Sequence, residues 1–135
     1  MSALFRVGVS PDFYVDAKGK FEDVLESHLG SQREIEYGPM PPLESKLATP
    51  DALNQFDAVF ALDVRITPES LRGVDRLALV ARWGVGYNNI DVDALTQANV
   101  VLAITPRAVR RPVAEAIFAF IFALSKNMLQ QDRIV

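Results

Sequence analysis

Residues 76–106 read RLALVARWGVGYNNIDVDALTQANVVLAITP. Two continuous apolar runs, LALVA and VVLAI, flank a Gly-Val-Gly loop and a short amphipathic segment. Short unbroken apolar runs suit strands that are buried on both faces, as in a parallel sheet covered by helices. Asp91 stands where a helix N-cap is needed, so DVDALTQAN is predicted as a short helix between the two strands. The stretch is therefore read as one strand–loop–helix–strand unit, the building block of a parallel α/β sheet.

The same alternation runs outward toward the N-terminus. FRVGVS (residues 5–10) is a β-rich run ended by Pro11-Asp12. KFEDVLESHLGS sets Phe21, Val24, Leu25, His28 and Leu29 at helical spacing, with Gly30 as the stop. REIEYG alternates as a short strand, and PMPPLES (residues 39–45) is a stiff, proline-rich connection. TPDALNQ predicts a short helix with Thr49 as cap and Pro50 at its first position. DAVFAL (residues 57–62) is a buried strand, and Thr67-Pro68 repeats the Thr-Pro pattern to open another short helix. VVLAI ends at Pro106, and a long helix is expected from near Pro112 to the end. The fold expected is a flavodoxin-like, doubly wound α/β sheet with a long C-terminal linking helix. Ligands of such sheets sit beyond the carboxyl ends of the strands, which here means the segments after Ser10, Leu62, Ala81 and Ile104.

Bulk properties narrow the function classes. The chain has 135 residues, half of them hydrophobic, and a formal net charge of -3. That suits one compact domain, or one domain and a stub, with a real core. Nucleic-acid modules carry a basic face, so no nucleic-acid partner is expected. With no cysteine and one histidine, His28, neither a disulfide, a thiolate metal site nor a His-rich zinc site is expected, and a cytoplasmic location is the default. The N-terminus lacks a basic segment followed by a long apolar one, so no signal peptide is expected. The most apolar segment, VAEAIFAFIFAL, is about half of the ~20 residues a spanning helix needs and contains Glu115, so a buried helix rather than a membrane span is expected.

The glycine loop carries the functional question. A dinucleotide fingerprint needs Gly-x-Gly-x-x-Gly opening directly into a helix. Here Asn89 holds the third glycine's place and the helix is expected only from Asp91. The helix N-terminus then lies too far from the glycines to hold a pyrophosphate. Two readings remain. One is a tight turn in which glycine supplies positive φ. The other is an anion cradle, in which successive backbone N–H groups converge on a small anion such as a carboxylate.

The run LALVARWGVGYNNIDVDALTQANVVLAITP, followed by Val113-Ala114-Glu115, resembles the substrate-domain signature of the D-isomer-specific 2-hydroxyacid dehydrogenases. That signature is Arg-x-Gly-x-Gly-x-Asp-Asn-Ile/Val-Asp, then a helix, a strand, Asn-Thr-Pro and a later Val-Ala-Glu. The chain departs from it at Asn88, at Ile104 before Thr105-Pro106, and at Ala116. The resemblance implies that the loop Trp83, Gly84, Val85, Gly86 and Tyr87 binds a substrate carboxylate, with Val85 and Gly86 closest. Trp83 beside it either narrows the pocket or fills the edge of the core. The implied reaction is hydride transfer between NAD or NADP and C2 of a 2-hydroxy or 2-oxo acid. The resemblance also places the cofactor fingerprint, the catalytic arginine, the acid–base histidine and its glutamate in a later Rossmann domain. Residues 1–106 are accordingly expected to be an incomplete substrate-binding domain. Residues 107–135 are expected to be a loop and linking helix, with Val113 touching the cofactor. The chain alone is expected to be a fragment without activity, and His28 a surface residue.

Arg107, Arg110 and Arg111 precede the expected helix, where its dipole disfavours cations by ~0.3–1 kcal/mol each. Either they form a solvated basic loop with Glu115 pairing one of them, or they recruit an anion, which is an acidic partner surface or a phosphate on the substrate held by Arg110 and Arg111. Along the helix, Ile117, Ile121, Leu124 and Met128 form one stripe, while Phe118, Phe120 and Phe122 project elsewhere. A helix apolar all round calls for burial all round. In enzymes of the resembling family this helix meets the cofactor domain and a two-fold partner, so a homodimer through Phe118, Ile121, Phe122 and Met128 is expected. Two other classes of function share this fold. A response-regulator-like switch needs paired acids after the first strand, an acceptor Asp after the third and a Lys before Pro after the fifth; only Asp63 fits. A non-catalytic interaction or regulatory module with the same fold is the remaining alternative.

Overall fold

A computed structural model describes residues 4–16 and 19–133. The chain forms two compact units, Met1–Ile104 and Thr105–Val135. The first is a five-stranded, all-parallel sheet in the order β2-β1-β3-β4-β5. Its strands are β1 (Phe5–Val9), β2 (Ile35–Pro39), β3 (Ala58–Ala61), β4 (Leu79–Arg82) and β5 (Val101–Ile104). This is the flavodoxin-like order, whose direction of winding reverses between β1 and β3.

The helices follow the local signals in most places. α1 (Asp12–Asp16) and α2 (Lys20–Leu29) connect β1 to β2. α3 (Pro50–Leu53) is capped by Thr49, whose Oγ1 accepts from the Ala52 N–H at 3.2 Å. α4 (Val92–Gln97) is capped by Asp91, whose Oδ1 accepts from the Ala94 N–H at 2.8 Å. Each such cap contributes about 1 kcal/mol.

Register sorts the core into two faces. Val59 pairs with Val80, and Val80 with Leu102, on one face. Met40, Leu53, Phe56, Ile66, Leu71 and Leu95 pack over it. On the opposite face, Val9 and Phe60 lie under Phe13 of α1 and Phe21 and Leu25 of α2. Phe13 stacks on Phe21 with centroids 4.2 Å apart. At the amino ends of the strands, Asp57 accepts from the Arg6 N–H at 2.6 Å and from Arg76 Nε and Nη2 at 3.2 and 2.9 Å. Burial alone would raise the Asp57 carboxyl, but the Arg76 guanidinium and these N–H donors hold it below the usual aspartate value.

Three local expectations are corrected. Pro11-Asp12 not only ends β1 but opens α1, with Phe13 and Tyr14 N–H bonding back to Ser10 and Pro11 carbonyls at 3.1 Å each. Thr67-Pro68 leads into a 3-10 turn, Glu69–Leu71, and its polar bond runs the other way: Thr67 N–H donates to Ser70 Oγ at 3.1 Å. The long helix α5 is Pro106–Ser125, with Pro112 inside it. No loop precedes it over residues 107–111, and it does not run unbroken to the end. Asn127, in the left-handed region at φ 49°, separates it from α6 (Met128–Gln131). Pro106 takes the first-turn position that suits proline, so Pro112 falls in the interior, where it costs the helix a hydrogen bond.

Thr105–Val135 is this helical unit. No residue of α5 is buried, and Phe118, Phe120 and Leu124 are 60%, 68% and 73% exposed. Among the described residues no helix is long and apolar enough to cross a membrane.

Candidate functional site

The loop after β4 leaves the carboxyl edge of the sheet beside β3. The Trp83 N–H donates to the Ala61 carbonyl at 2.9 Å, which carries the β3–β4 pairing one step past the strand. The backbone then turns at Gly84, where φ is +131°, a conformation that side chains rarely adopt. A Cβ there would also lie 2.8 Å from Arg82 Nη1. Gly86 is different: its φ is not in the left-handed region, and a Cβ there would meet nothing within 4 Å. Gly84 is thus required by the fold, whereas Gly86 leaves its backbone open to approach.

The far side of the loop is tied down. Asn89 Nδ2 donates to the Val64 carbonyl at 2.6 Å, its own carbonyl accepts from the Ile66 N–H at 2.9 Å, and the Asp91 N–H returns to the Ile66 carbonyl at 2.9 Å. Asn89 therefore has a structural task in the place where a dinucleotide loop has its third glycine. α4 begins only at Val92, beyond a turn closed by the Ile90 N–H on the Tyr87 carbonyl at 2.9 Å. These residues do not fit the glycine-and-helix cradle that holds a dinucleotide pyrophosphate.

They do suit a small anion. Among the described residues, the Val85 and Gly86 N–H groups donate to no group of the protein. Beneath Gly84 lies Arg82, whose Nε and Nη1 are buried without a hydrogen-bond partner. Arg82 forms no ion pair among the described residues. The loop thus lies over a guanidinium that no carboxylate among the described residues offsets. The sequence reading passed over Arg82. Its signal was a charged residue closing an apolar strand directly before the glycines.

Trp83, Val85 and Tyr87 are exposed at 46%, 43% and 43%. The Trp83 indole meets Phe13 and Phe21 edge-on, with centroids 5.4 and 5.8 Å away. The other charged residues singled out in the sequence lie elsewhere. His28 is exposed in the last turn of α2, which feeds β2 at the amino edge of the sheet. Asp63 is ion-paired with Lys46, and its backbone N–H donates to Asp12 Oδ2 at 2.6 Å. These three residues line an open cleft of about 330 Å³ near the ends of β1 and β3. In the second unit, Arg110 and Val113 are exposed, and Arg111 Nε bonds Glu115 Oε1 at 2.6 Å one helical turn on.

Residues 18–129 match the sequence profile of the family described as "D-isomer specific 2-hydroxyacid dehydrogenase, catalytic domain". The chain belongs to that family. It is 31% identical over 115 residues to a glyoxylate reductase of Pyrococcus horikoshii, covering 84% of this chain and 32% of the relative. A glyoxylate reductase of Aeropyrum pernix is 32% identical over 131 residues, covering 96% of this chain and 37% of the relative. The chain thus spans about a third of the length of these members of the family. Among solved structures, the NAD-dependent formate dehydrogenase of Staphylococcus aureus shares the fold. Its TM-score is 0.74 at 18% identity, over 96% of this chain and 41% of that one. The glycine loop, α4, β5 and α5 all lie inside the span matched to the family.

Proposed function

We propose that this chain is the substrate-binding portion of an NAD(P)-dependent oxidoreductase that interconverts small D-2-hydroxy and 2-oxo acids. The observation that carries the reading is the conjunction at one loop, among the described residues, of two undonated amides, Val85 and Gly86, with the buried, unpartnered Nε and Nη1 of Arg82 beneath Gly84. The acid's carboxylate sits on those amides, flanked by Trp83 and Tyr87. Backbone donors fixed by Gly84 and by the Asn89 tether need no rearrangement when the anion arrives, which is the economy of a preformed cradle. The bound acid then presents C2 and its oxygen away from the carboxylate, toward the group that would exchange hydride.

The nicotinamide cofactor supplies the hydride when bound. In this reading it is NAD or NADP, held by residues other than the glycine loop, with Val113 of α5 as a contact. Arg110 and Arg111 remain the candidates for a phosphate on the substrate, although Arg111 already has Glu115 as a partner. The apolar side chains Phe118, Ile121, Phe122 and Met128 are read as a homodimer surface. A non-catalytic module would keep the fold without needing two amides that no described residue accepts from, set over a guanidinium with two buried, unpartnered nitrogens, so the enzyme reading is preferred.

Binding without turnover is the test. The purified 135-residue chain is expected to show glycolate-dependent shifts of the Val85 and Gly86 amide resonances. It is also expected to leave NADH unoxidised with glyoxylate, hydroxypyruvate or pyruvate. Robust turnover would overturn the assignment of the chemistry to other residues.

A further inference from the structure

We propose that the cleft beyond the carboxyl ends of β1 and β3 is a second ligand site, suited to a small organic ammonium ion with a short apolar body. The winding of the sheet reverses between these two strands, and ligands of open α/β sheets sit in the crevice outside that point. The cleft holds about 330 Å³, at the lower end of the ~300–1,000 Å³ of small-molecule sites. Its lining shares no residue with the glycine loop. The proposal therefore stands apart from the carboxylate reading, and each can fail without the other.

Three segments of the chain meet at the cleft and are tied to one another. At the end of β1, the Ser10 N–H donates to the Phe60 carbonyl at 3.0 Å, and Ser10 Oγ accepts from the Leu62 N–H at 3.2 Å. One step on, the Asp63 N–H donates to Asp12 Oδ2. From the other side, the Arg65 N–H donates to the Lys46 carbonyl at 2.8 Å and the Ala48 N–H to the Arg65 carbonyl at 2.9 Å. Ser45 and Lys46, at φ 50° and 60°, both lie in the left-handed region. Successive non-glycine residues keep that conformation only where their surroundings impose it. The walls are thus preformed, as small-molecule sites usually are.

The lining decides the chemistry of the ligand. Val15, Leu43 and Val64 offer apolar contact, and the charged groups are Asp12, Asp63 and Lys46. Lys46 is paired with Asp63, whereas Asp12 forms no ion pair among the described residues. One negative charge is therefore in excess. Asp12 Oδ1 is also buried without a hydrogen-bond partner among the described residues, and a buried acceptor of this kind is stabilised by any cation or donor that answers it. An anion would meet two carboxylates and a lysine already engaged. An uncharged apolar molecule would leave the excess charge as it is. A bare metal ion lacks ligands, because no group of three His, Cys, Asp or Glu side chains among the described residues could hold one. An ammonium supplies three donors and the opposite charge. The charge of the Asp12 carboxylate is shared by both its oxygens, so an ammonium bonded to Asp63 is attracted to Asp12 as well.

The experiment titrates the isotopically labelled 135-residue chain with n-butylammonium and with 1-butanol, its uncharged counterpart of similar size, at neutral pH and fixed ionic strength. The Asp63 and Val64 amide resonances report the cleft. Butylammonium is expected to shift both saturably and to bind roughly fivefold or more tightly than butanol, the upper end for one partly exposed charge pair. Asp12→Asn keeps an oxygen to accept the Asp63 N–H and removes the charge. It should weaken butylammonium by about the same factor and leave butanol unchanged. Lys46→Gln removes the cation that competes for Asp63 and should tighten butylammonium about twofold to fivefold. Thermal melts confirm that both variants fold, and if Asp12→Asn does not, the Lys46→Gln variant and the comparison with butanol still decide. No saturable shift at Asp63 and Val64, equal affinities for the two probes, or weaker butylammonium binding in folded Lys46→Gln would overturn the proposal. Any of these results would leave the glycolate response at Val85 and Gly86 to stand or fall by itself.

Discussion

The two units of this chain treat their aromatic residues in opposite ways. In Met1–Ile104, Phe13, Phe21 and Phe56 are 1%, 5% and 6% exposed, and two of them meet Trp83 of the glycine loop edge-on. In Thr105–Val135, Phe118, Phe120 and Phe122 are 60%, 68% and 58% exposed on a helix without one buried residue. The parallel sheet satisfies its apolar sequence from within the unit. The helix, equally apolar, does not. Apolar composition therefore fixes the structure of a segment only where the neighbouring elements to bury it belong to the same unit.

The largest test of this contrast is a pair of phenylalanine substitutions. Phe13→Ala should destabilise by about 3–5 kcal/mol, the range for emptying a packed aromatic site. Phe120→Ser should change the monomer's stability by no more than about 0.5 kcal/mol, as surface changes usually do. Denaturant midpoints measure both. A large loss for Phe120→Ser that depends on protein concentration would break the comparison in an informative way, because it would show the helix buried against a second copy. Light scattering at tens of micromolar supplies the mass, and the proposed homodimer predicts that Phe118→Ser with Phe122→Ser lowers it.

Within the loop, the two glycines make the next contrast. Gly84→Ala forces a side chain into φ +131° and a Cβ to 2.8 Å from Arg82 Nη1. Backbone strain alone is expected to cost roughly 1–3 kcal/mol. Gly86→Ala meets nothing within 4 Å. It should leave stability nearly unchanged while weakening acid binding, since the added methyl stands where a ligand approaches. Thermal melts and amide-shift titrations separate the two effects. Equal destabilisation by both would mean that Gly86 is a second turn residue.

The smallest effect concerns pH. Asp57 is held below its unfolded value of about 3.9 by the Arg76 guanidinium and the Arg6 N–H, which outweigh the opposing effect of burial. A depressed folded pKa gives stability that is present above the unfolded value and is lost as pH falls through the folded one. The parent should therefore lose stability below about pH 4, and Asp57→Asn should lose less over the same interval from a lower starting point. Denaturant midpoints from pH 6 to pH 2.5 show the difference in slope, while the unit Thr105–Val135, with no comparable half-buried ion pair among its described residues, should contribute little to it.

How much of this was legible beforehand divides along the same line. The five strands, the Thr49 and Asp91 caps and the flavodoxin-like order follow from apolar runs and capping residues, which act locally. The helix start at Pro106 was obscured because two prolines, Pro106 and Pro112, offer the same local signal and only one can be first. The task of Asn89 depends on the Val64 carbonyl, 25 positions away, and the buried Nε and Nη1 of the half-buried Arg82 depend on how the chain folds around it, with Nη1 close to Gly84. Neither has a local signature. The sequence thus located the loop, and tertiary contacts explain why it has its shape.

The central claim is that Val85 and Gly86 hold a carboxylate. Its most direct measurement compares glycolate with glycolamide, which is similar in size but uncharged, by amide chemical shifts of the isotopically labelled 135-residue chain. Glycolate should shift the Val85 and Gly86 resonances saturably, glycolamide should not, and Arg82→Gln should weaken the glycolate response. Equal shifts with both compounds, or none at these two amides with either, would contradict the account.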